Sequence, residues 1–334
     1  MWWSCSLSAV IRASIVLVVA ALALVTACAG PQPTAKPARQ RVPAQPAASA
    51  TARAAVTGQA GTYQVGERQL TFVEPPHTGP TGQRLRRRTL VTEIRYPRAR
   101  GPFPLLLFAP GFMQCGGPYS DLLETWASAG YVVAVVNFPR TDCRVGTAAY
   151  EPDLVNQPQD MSYVLSRLLA RSAQPYGLLS GLLNRHEIAA AGQSDGGDTV
   201  AALAANTCCA DRRLTAAAVL SGAEWPPMPG RYFRHRAPPM LFVQGSADTI
   251  NPPWASEQLY RADPASARYY LDLFGVNHMI PYVGTNRVER LVARVTLAFF
   301  DRYVLGQDDA LAAMARDGSV GGTSALVSGR QLPP

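Results

Sequence analysis

The sequence predicts an α/β fold, a mostly parallel central sheet with helices on both faces. Three observations support this. Short apolar runs rich in Val, Leu, Tyr and Phe recur along the chain, several without the polar alternation of a sheet that is wet on one side. Segments with apolar residues at helical spacing separate them. Pro and Gly end most of the runs. Strands alternating with helices return the chain in the same direction each time, so neighbouring strands pair in parallel.

Taken in order, residues 62–75 ("TYQVGERQLTFVEP") and 88–97 ("RTLVTEIRYP") alternate and are β-rich, and read as two early strands. Residues 105–108 ("LLLF") form a continuous apolar run stopped by Pro110 and Gly111, as in a buried strand. A helix follows over 120–129, opened by a serine and closed by Gly130, then a strongly β segment at 131–136 ("YVVAVV"). Residues 153–172 show helical spacing. A strand at 186–192 ("HEIAAAG") runs through Ser194 into an alanine-rich helix. Strands at 215–222, 239–245 and 267–275 and helices at 253–262 and 287–305 complete the pattern. The tail at 307–334 holds one helical turn and a Gly/Ser-rich end, and is expected to be peripheral.

Composition bounds what such a chain can do. Of 334 residues 48% are hydrophobic and 16% charged, enough for a large core and unlike a disordered chain. The net charge of +8 comes from arginine, since Lys36 is the only lysine. The densest basic run, Arg84 to Arg88 ("RLRRR"), leads straight into a strand and has no interleaved aromatics. It reads as a solvated surface and not as a nucleic-acid patch.

The N-terminal segment divides the chain. Arg12 precedes an apolar run over 13–25, too short to span a bilayer and of the length of a signal-peptide core. The sequence "LVTAC" at 24–28 resembles a bacterial lipobox, which implies cleavage after residue 27 and lipidation of Cys28. An ordinary secretory signal or an uncleaved anchor are the alternatives. Residues 28–61 are rich in Ala, Pro, Gln and Thr and read as a flexible tether. The expected organisation is a signal at 1–27, a linker at 28–61, a catalytic domain at 62–306 and a tail at 307–334. Export to an oxidising compartment would favour disulfides among Cys115, Cys143, Cys208 and Cys209. Cys115–Cys143 is the expected pair, because both follow strands at the same edge of the sheet; buried free thiols are the alternative.

The chemistry centres on Gly192-Gln193-Ser194-Asp195-Gly196, a G-x-S-x-G match between a β run and a helix-forming run. Such a turn lifts the serine to the carboxyl end of a parallel sheet, where ligands bind. The glycines allow close backbone approach, and the helix that begins there favours negative charge. A serine nucleophile needs a base, and the base an orienting acid. Of four histidines, His77 lies in a Pro-rich connection, His186 at the far end of its strand and His235 in an Arg-rich loop. Only His278, in "GVNHMIP" after a strand, is placed to act as base. Asp248, after "PMLFVQGSA", is the expected acid, with Glu224 and Asp272 as rivals. Two backbone N–H groups would stabilise the oxyanion, from Asp195 and from Phe112, which follows Gly111.

These segments resemble the α/β-hydrolases, in the group that includes cutinase-like polyester hydrolases, platelet-activating-factor acetylhydrolases and dienelactone hydrolases. The resemblance spans residues 62–305, and "GSADTINPP" and "YYLDLFGVNHMIP" carry it most closely. It implies that Phe112 and Trp225 clamp the substrate and that Ile250 lines the pocket. The chain departs from the usual G-H-S-M-G-G at Gln193 and Asp195. A carboxylate at 195, about 5–6 Å from the oxyanion, would cost roughly 3 kcal/mol before screening. Its side chain is therefore expected to face solvent or pair with an arginine, and the site to suit a polar or cationic substrate. Only residues 224–238 separate the sixth and seventh strands, too few for a large lid. The expectation is a monomeric serine carboxylic ester hydrolase with a membrane anchor and neither cofactor nor metal. An acyltransferase on the same triad, or a catalytically silent binding lipoprotein, are the alternatives.

Overall fold

Phe103–Ala109 is apolar at every position because it lies in the middle of a sheet covered on both sides. The computed structural model describes residues 60–329; the expected signal peptide, Cys28 and nearly all of the linker lie outside the described residues. Two antiparallel strands come first, β1 (Val65–Glu74) and β4 (Arg88–Pro97), with the two-residue strands β2 (His77–Thr78) and β3 (Arg84–Leu85) pairing with each other between them. Then follow β5 (Phe103–Ala109), α1 (Ser120–Ser128), β6 (Val132–Asn137) and α2 (Gln157–Ser172). Next come β7 (Leu183–Gln193), α3 (Asp195–Ala205), β8 (Ala216–Leu220) and β9 (Met240–Gly245). The chain continues through α4 (Pro253–Ala262), β10 (Arg268–Leu273), α5 (Arg287–Tyr303), α6 (Ala310–Gly318) and β11 (Ser324–Ser328).

Nine strands form one sheet in the order β1-β4-β6-β5-β7-β8-β9-β10-β11. The stretch from β6 to β10 is parallel throughout, flanked by antiparallel strands at both ends. This is the mostly parallel α/β sheet that the alternating pattern predicts, and it fits the α/β-hydrolase fold that the resemblance implies.

Strand side chains alternate between faces and so divide the core in two. Leu105, Leu107, Val132 and Ala134 pack with Met161, Val164 and Leu165 of α2, Val200 of α3 and Leu259 of α4. Leu106, Phe108, Val133 and Val135 face the other way, against Leu122 and Trp126 of α1 and Phe299 and Phe300 of α5. At about 25 cal/mol per Å² of apolar surface removed from water, these two layers are the main source of stability. Polar ties fix the helices over them. Trp126 Nε1 donates to Thr296 Oγ1 at 3.0 Å, and Asn286 Oδ1 caps α5 by accepting from the N–H groups of Val288 and Glu289.

Two expectations need correction. The tail after residue 306 is not peripheral: α6 packs on α5, and β11 pairs antiparallel with β10, Tyr270 opposite Val327. An open edge of β10 and the alternating "SALVS" segment supply the reason. The basic run at 84–88 is also not all surface. Arg84, Arg86 and Arg87 are exposed, but Arg88 is buried against Asp153 and Asp160.

Candidate active site

Ser194 stands between β7 and α3 with φ 57° and ψ −126°, a left-handed conformation that costs a non-glycine residue on the order of 1–3 kcal/mol. The surroundings enforce it. The Ser194 N–H donates to Leu220 O at 2.9 Å, and its carbonyl accepts from Asp198 N–H at 3.0 Å. A side chain on Gly192 would collide with the carbonyl of Gly196, and one on Gly196 with the carbonyl of Ala109. The sharp strand-to-helix turn is therefore available only to small residues at these two positions. It leaves Ser194 partly accessible at the carboxyl end of the sheet.

His278 follows β10 and Asp248 follows β9, so both come to the same rim. His278 Nδ1 lies 2.7 Å from Asp248 Oδ2, and both residues are buried, 6% and 3% exposed. Asp248 is itself held. Its Oδ1 accepts from the N–H groups of Ile250 and Asn251 at 2.9 and 3.0 Å, and its Oδ2 from Gln244 Nε2 at 3.1 Å. With both oxygens engaged, the carboxylate faces the imidazole in one orientation and selects the tautomer with the proton on Nδ1. The rivals stand elsewhere. Glu224 lines a separate cavity, and Asp272 lies within β10. His77 is in β2, His186 in the first half of β7 and His235 in the exposed connection between β8 and β9.

Ser194 and His278 are brought to one rim but share no hydrogen bond among the described residues. His278 Nε2 instead meets Gln193 Nε2 at 3.2 Å, and the same amide reaches the His278 carbonyl at 3.3 Å. Gln193 Oε1 accepts from the Tyr119 hydroxyl at 2.8 Å, which in turn accepts from Gly111 N–H at 3.2 Å. A buried chain of hydrogen bonds thus runs from the loop after β5 through Tyr119 and Gln193 to the imidazole. The sequence shows Gln193 only as a departure from the usual motif and does not point to Tyr119. No local pattern signals a contact between residues 74 positions apart, as Tyr119 and Gln193 are.

The loop after β5 packs directly on the serine: a Cβ on Gly111 would stand 3.2 Å from Ser194 Cβ. Phe112 follows, half-buried. The Cys115–Cys143 disulfide ties this loop to the one after β6, with Cα atoms 5.4 Å apart, and Met113 N–H donates to Thr141 O at 2.7 Å beside it. The adjacent Cys208 and Cys209 are also paired.

Asp195 differs from expectation. It neither faces solvent nor pairs with an arginine. The residue is 7% exposed, and its Oδ2 has no hydrogen-bond partner among the described residues. Burial pushes its carboxyl up to about 7, helped by the charge of Glu151 and opposed by its own backbone N–H. With no guanidinium beside it among the described residues, burial favours the neutral, protonated form over a buried charge. Below neutral pH the carboxyl adds no charge next to the position expected for the oxyanion.

Trp225 is half-buried in the wall of a cavity of about 540 Å³ between the β8–β9 connection and α4. Phe112 and Ile250 are not part of that wall, and Ile250 is 66% exposed in the turn after Asp248.

Comparison with protein families finds a match to the chlorophyllase model over residues 59–246. The matched span covers β1 to β9 and the Ser194 turn, and ends just before Asp248. A search of the curated proteins finds no match.

Proposed function

The chain belongs to the chlorophyllase family, an esterase-type family of α/β-hydrolases, and from that membership we propose that it is a serine carboxylic ester hydrolase. Ser194 Oγ attacks the ester carbonyl while His278 Nε2 takes its proton, and Asp248 holds the imidazole and stabilises the imidazolium that forms. The N–H groups of Phe112 and Asp195 stabilise the oxyanion of the tetrahedral intermediate. Collapse expels the alcohol, which leaves with the proton from His278. Water then attacks the acyl carbon as His278 takes its proton, and His278 returns that proton to Ser194 Oγ as the acid is released. For the first proton transfer the Gln193 amide must yield the Nε2 lone pair to Ser194, one residue along the same turn. Such bonds commonly tighten only once substrate is bound.

The observation that carries this reading is Ser194 at φ 57° on the strand-to-helix turn, on the same rim as an imidazole locked to a buried carboxylate. In Ser194→Ala, hydrolysis of p-nitrophenyl esters should fall by about 10⁴-fold or more, and labelling by a fluorophosphonate probe should vanish. Wild-type rates in that variant would overturn the assignment. We also propose that the domain is tethered outside the cytoplasmic membrane through a lipidated Cys28. Cys28→Ala should move the protein from the membrane to the soluble fraction of cells, and unchanged fractionation would refute the tether.

A further inference from the structure

A parallel sheet gives the domain two ends. Ser194 and His278 stand at the carboxyl end, and the amino end carries a cluster of arginines. Arg185 lies in the first half of β7, Arg212 between α3 and β8, and Arg234 and Arg236 between β8 and β9. Arg167 lies toward the end of α2, whose Ser172 hydroxyl accepts from Leu183 N–H at the start of β7, 3.0 Å away. All five residues are exposed, and none is in an ion pair among the described residues. They adjoin one another. Arg212 and Arg236 line a cavity of about 490 Å³, and Arg234 and Arg236 a second of about 470 Å³. Arg213 links them to α2 by donating at 2.9 Å to Ser166 Oγ, next to Arg167. The acids here are engaged or withdrawn. Asp211 in the first cavity is bonded to Arg213, Asp263 in the second is buried, and Glu187 is half-buried in β7. Asp308 and Asp309 follow α5, which covers the opposite face of the sheet.

Two observations point to what this end meets. The chain joins the domain here. Val65 at the start of β1 pairs with Pro97 at the end of β4, which runs antiparallel to β6, and Tyr63 N–H donates to Ser128 O at the end of α1 at 2.9 Å. The residues that lead back to Cys28 are therefore attached at the arginine end. In addition, Tyr176, between α2 and β7, is 85% exposed, with Leu178 also exposed beside it. A phenol ring and a leucine among guanidinium groups suit a lipid headgroup layer. The ring takes the boundary between water and acyl chains, and guanidinium pairs with phosphate.

We propose that the amino end of the sheet docks on an anionic lipid surface, so that the catalytic rim points away from it. The six residues of β9 alone span about 20 Å, which holds Ser194 clear of the headgroups. The ester it cleaves then arrives from the side away from the membrane. The docking itself does not need the hydrolase reading; the orientation given by the linker rests on the tether. The test uses the full chain carrying Cys28→Ala, which has no acyl anchor, sedimented with vesicles of phosphatidylcholine or of its equal mixture with phosphatidylglycerol. Any pull from the apolar segment at 13–25 is common to both. At about 0.1 M salt the mixed vesicles should bind about 100-fold more tightly, and the difference should vanish at about 1 M. Arg234→Gln with Arg236→Gln should weaken binding to the mixed vesicles about 20-fold and leave p-nitrophenyl ester hydrolysis at the wild-type rate. Arg287→Gln with Arg290→Gln makes the same change of charge on exposed residues at the start of α5, beside the catalytic rim, and should weaken it by about threefold or less. Equal binding to the two vesicles, a preference that survives 1 M salt, equal losses in the two double variants, or tighter binding to a DNA duplex than to the mixed vesicles would overturn the inference. None of these results touches the hydrolase reading. The tether is judged separately, by fractionation of cells after a high-salt wash, which strips this contact and spares an acyl chain.

Discussion

Glu151 and Asp153 sit two residues apart in one short turn and end in opposite neighbourhoods. Asp153 turns toward the start of β4. There Arg88 donates to all four oxygens of Asp153 and Asp160, at 2.6–3.0 Å, and Asn156 adds a bond at 2.9 Å. The charge of Glu151 instead acts on Asp195 and Asp198, where no guanidinium is at hand. Both regions bury carboxyls at similar depth, and they differ in the partner supplied. Where a fork of five donors meets the carboxylates, the charges hold a strand to a helix. Burial raises a carboxyl in both regions, Asp160 to about 7 in spite of Arg88 and Asp195 to about 7 with no guanidinium near it, and the second case lies beside the nucleophile. A buried acid says little about function by itself, since Asp263 after α4 and Asp301 in α5 are also buried without an ion pair; what sets Asp195 apart is its place next to the nucleophile.

The largest effect that would break this contrast is loss of Arg88. Arg88→Met keeps much of the stem and removes the donors, leaving two buried carboxylates facing each other. Unfolding free energy in urea should drop by about 3–5 kcal/mol. A loss below about 1 kcal/mol would show that the pair is no better compensated than Asp195, and the distinction between the two regions would fall. Replacing Arg88, Asp153 and Asp160 together by apolar residues of similar volume should recover most of the loss, because the penalty lies in the uncompensated charges.

The same two regions show what the sequence reveals and what it withholds. The sheet was legible because its signal is local: continuous apolar runs such as residues 105–108, and turns closed by Pro or Gly. The placing of Ser194, Asp248 and His278 on one rim was legible because a parallel sheet puts every strand's carboxyl end on the same side. Arg88 was not legible. It looks like Arg86 and Arg87, and only partners 65 and 72 residues downstream set it apart. The fate of Asp195 was hidden for the same reason, since neither the burial nor the absence of an arginine is written in its neighbours. Gln193 meets His278 across 85 residues, so a departure from the usual motif could be seen while its contact could not. The strand β11 was missed because five alternating residues become a strand only when a neighbouring edge is left open.

A smaller effect sharpens the contrast from the other side. Asp195 titrates at about 7 in the folded chain against 3.8 when unperturbed. Its folded state therefore binds the proton more tightly than its unfolded state. The stability this contributes is complete below about pH 4 and is lost as pH rises through about 7. Asp195→Asn removes the titration at nearly constant volume. The stability of the variant relative to wild type should rise by about 1–3 kcal/mol between pH 5 and pH 8, the lower figure reflecting the favourable interaction of a carboxylate with the start of α3. Urea unfolding at the two pH values measures this directly. Activity should follow the same sign: above about pH 7 the wild-type carboxylate opposes the oxyanion, so the ratio of variant to wild-type kcat/KM should climb through that range. A ratio flat from pH 5 to pH 9, together with unchanged relative stability, would mean that residue 195 does not titrate there, and that the unpaired acids beside Ser194 are no different in kind from those held by Arg88.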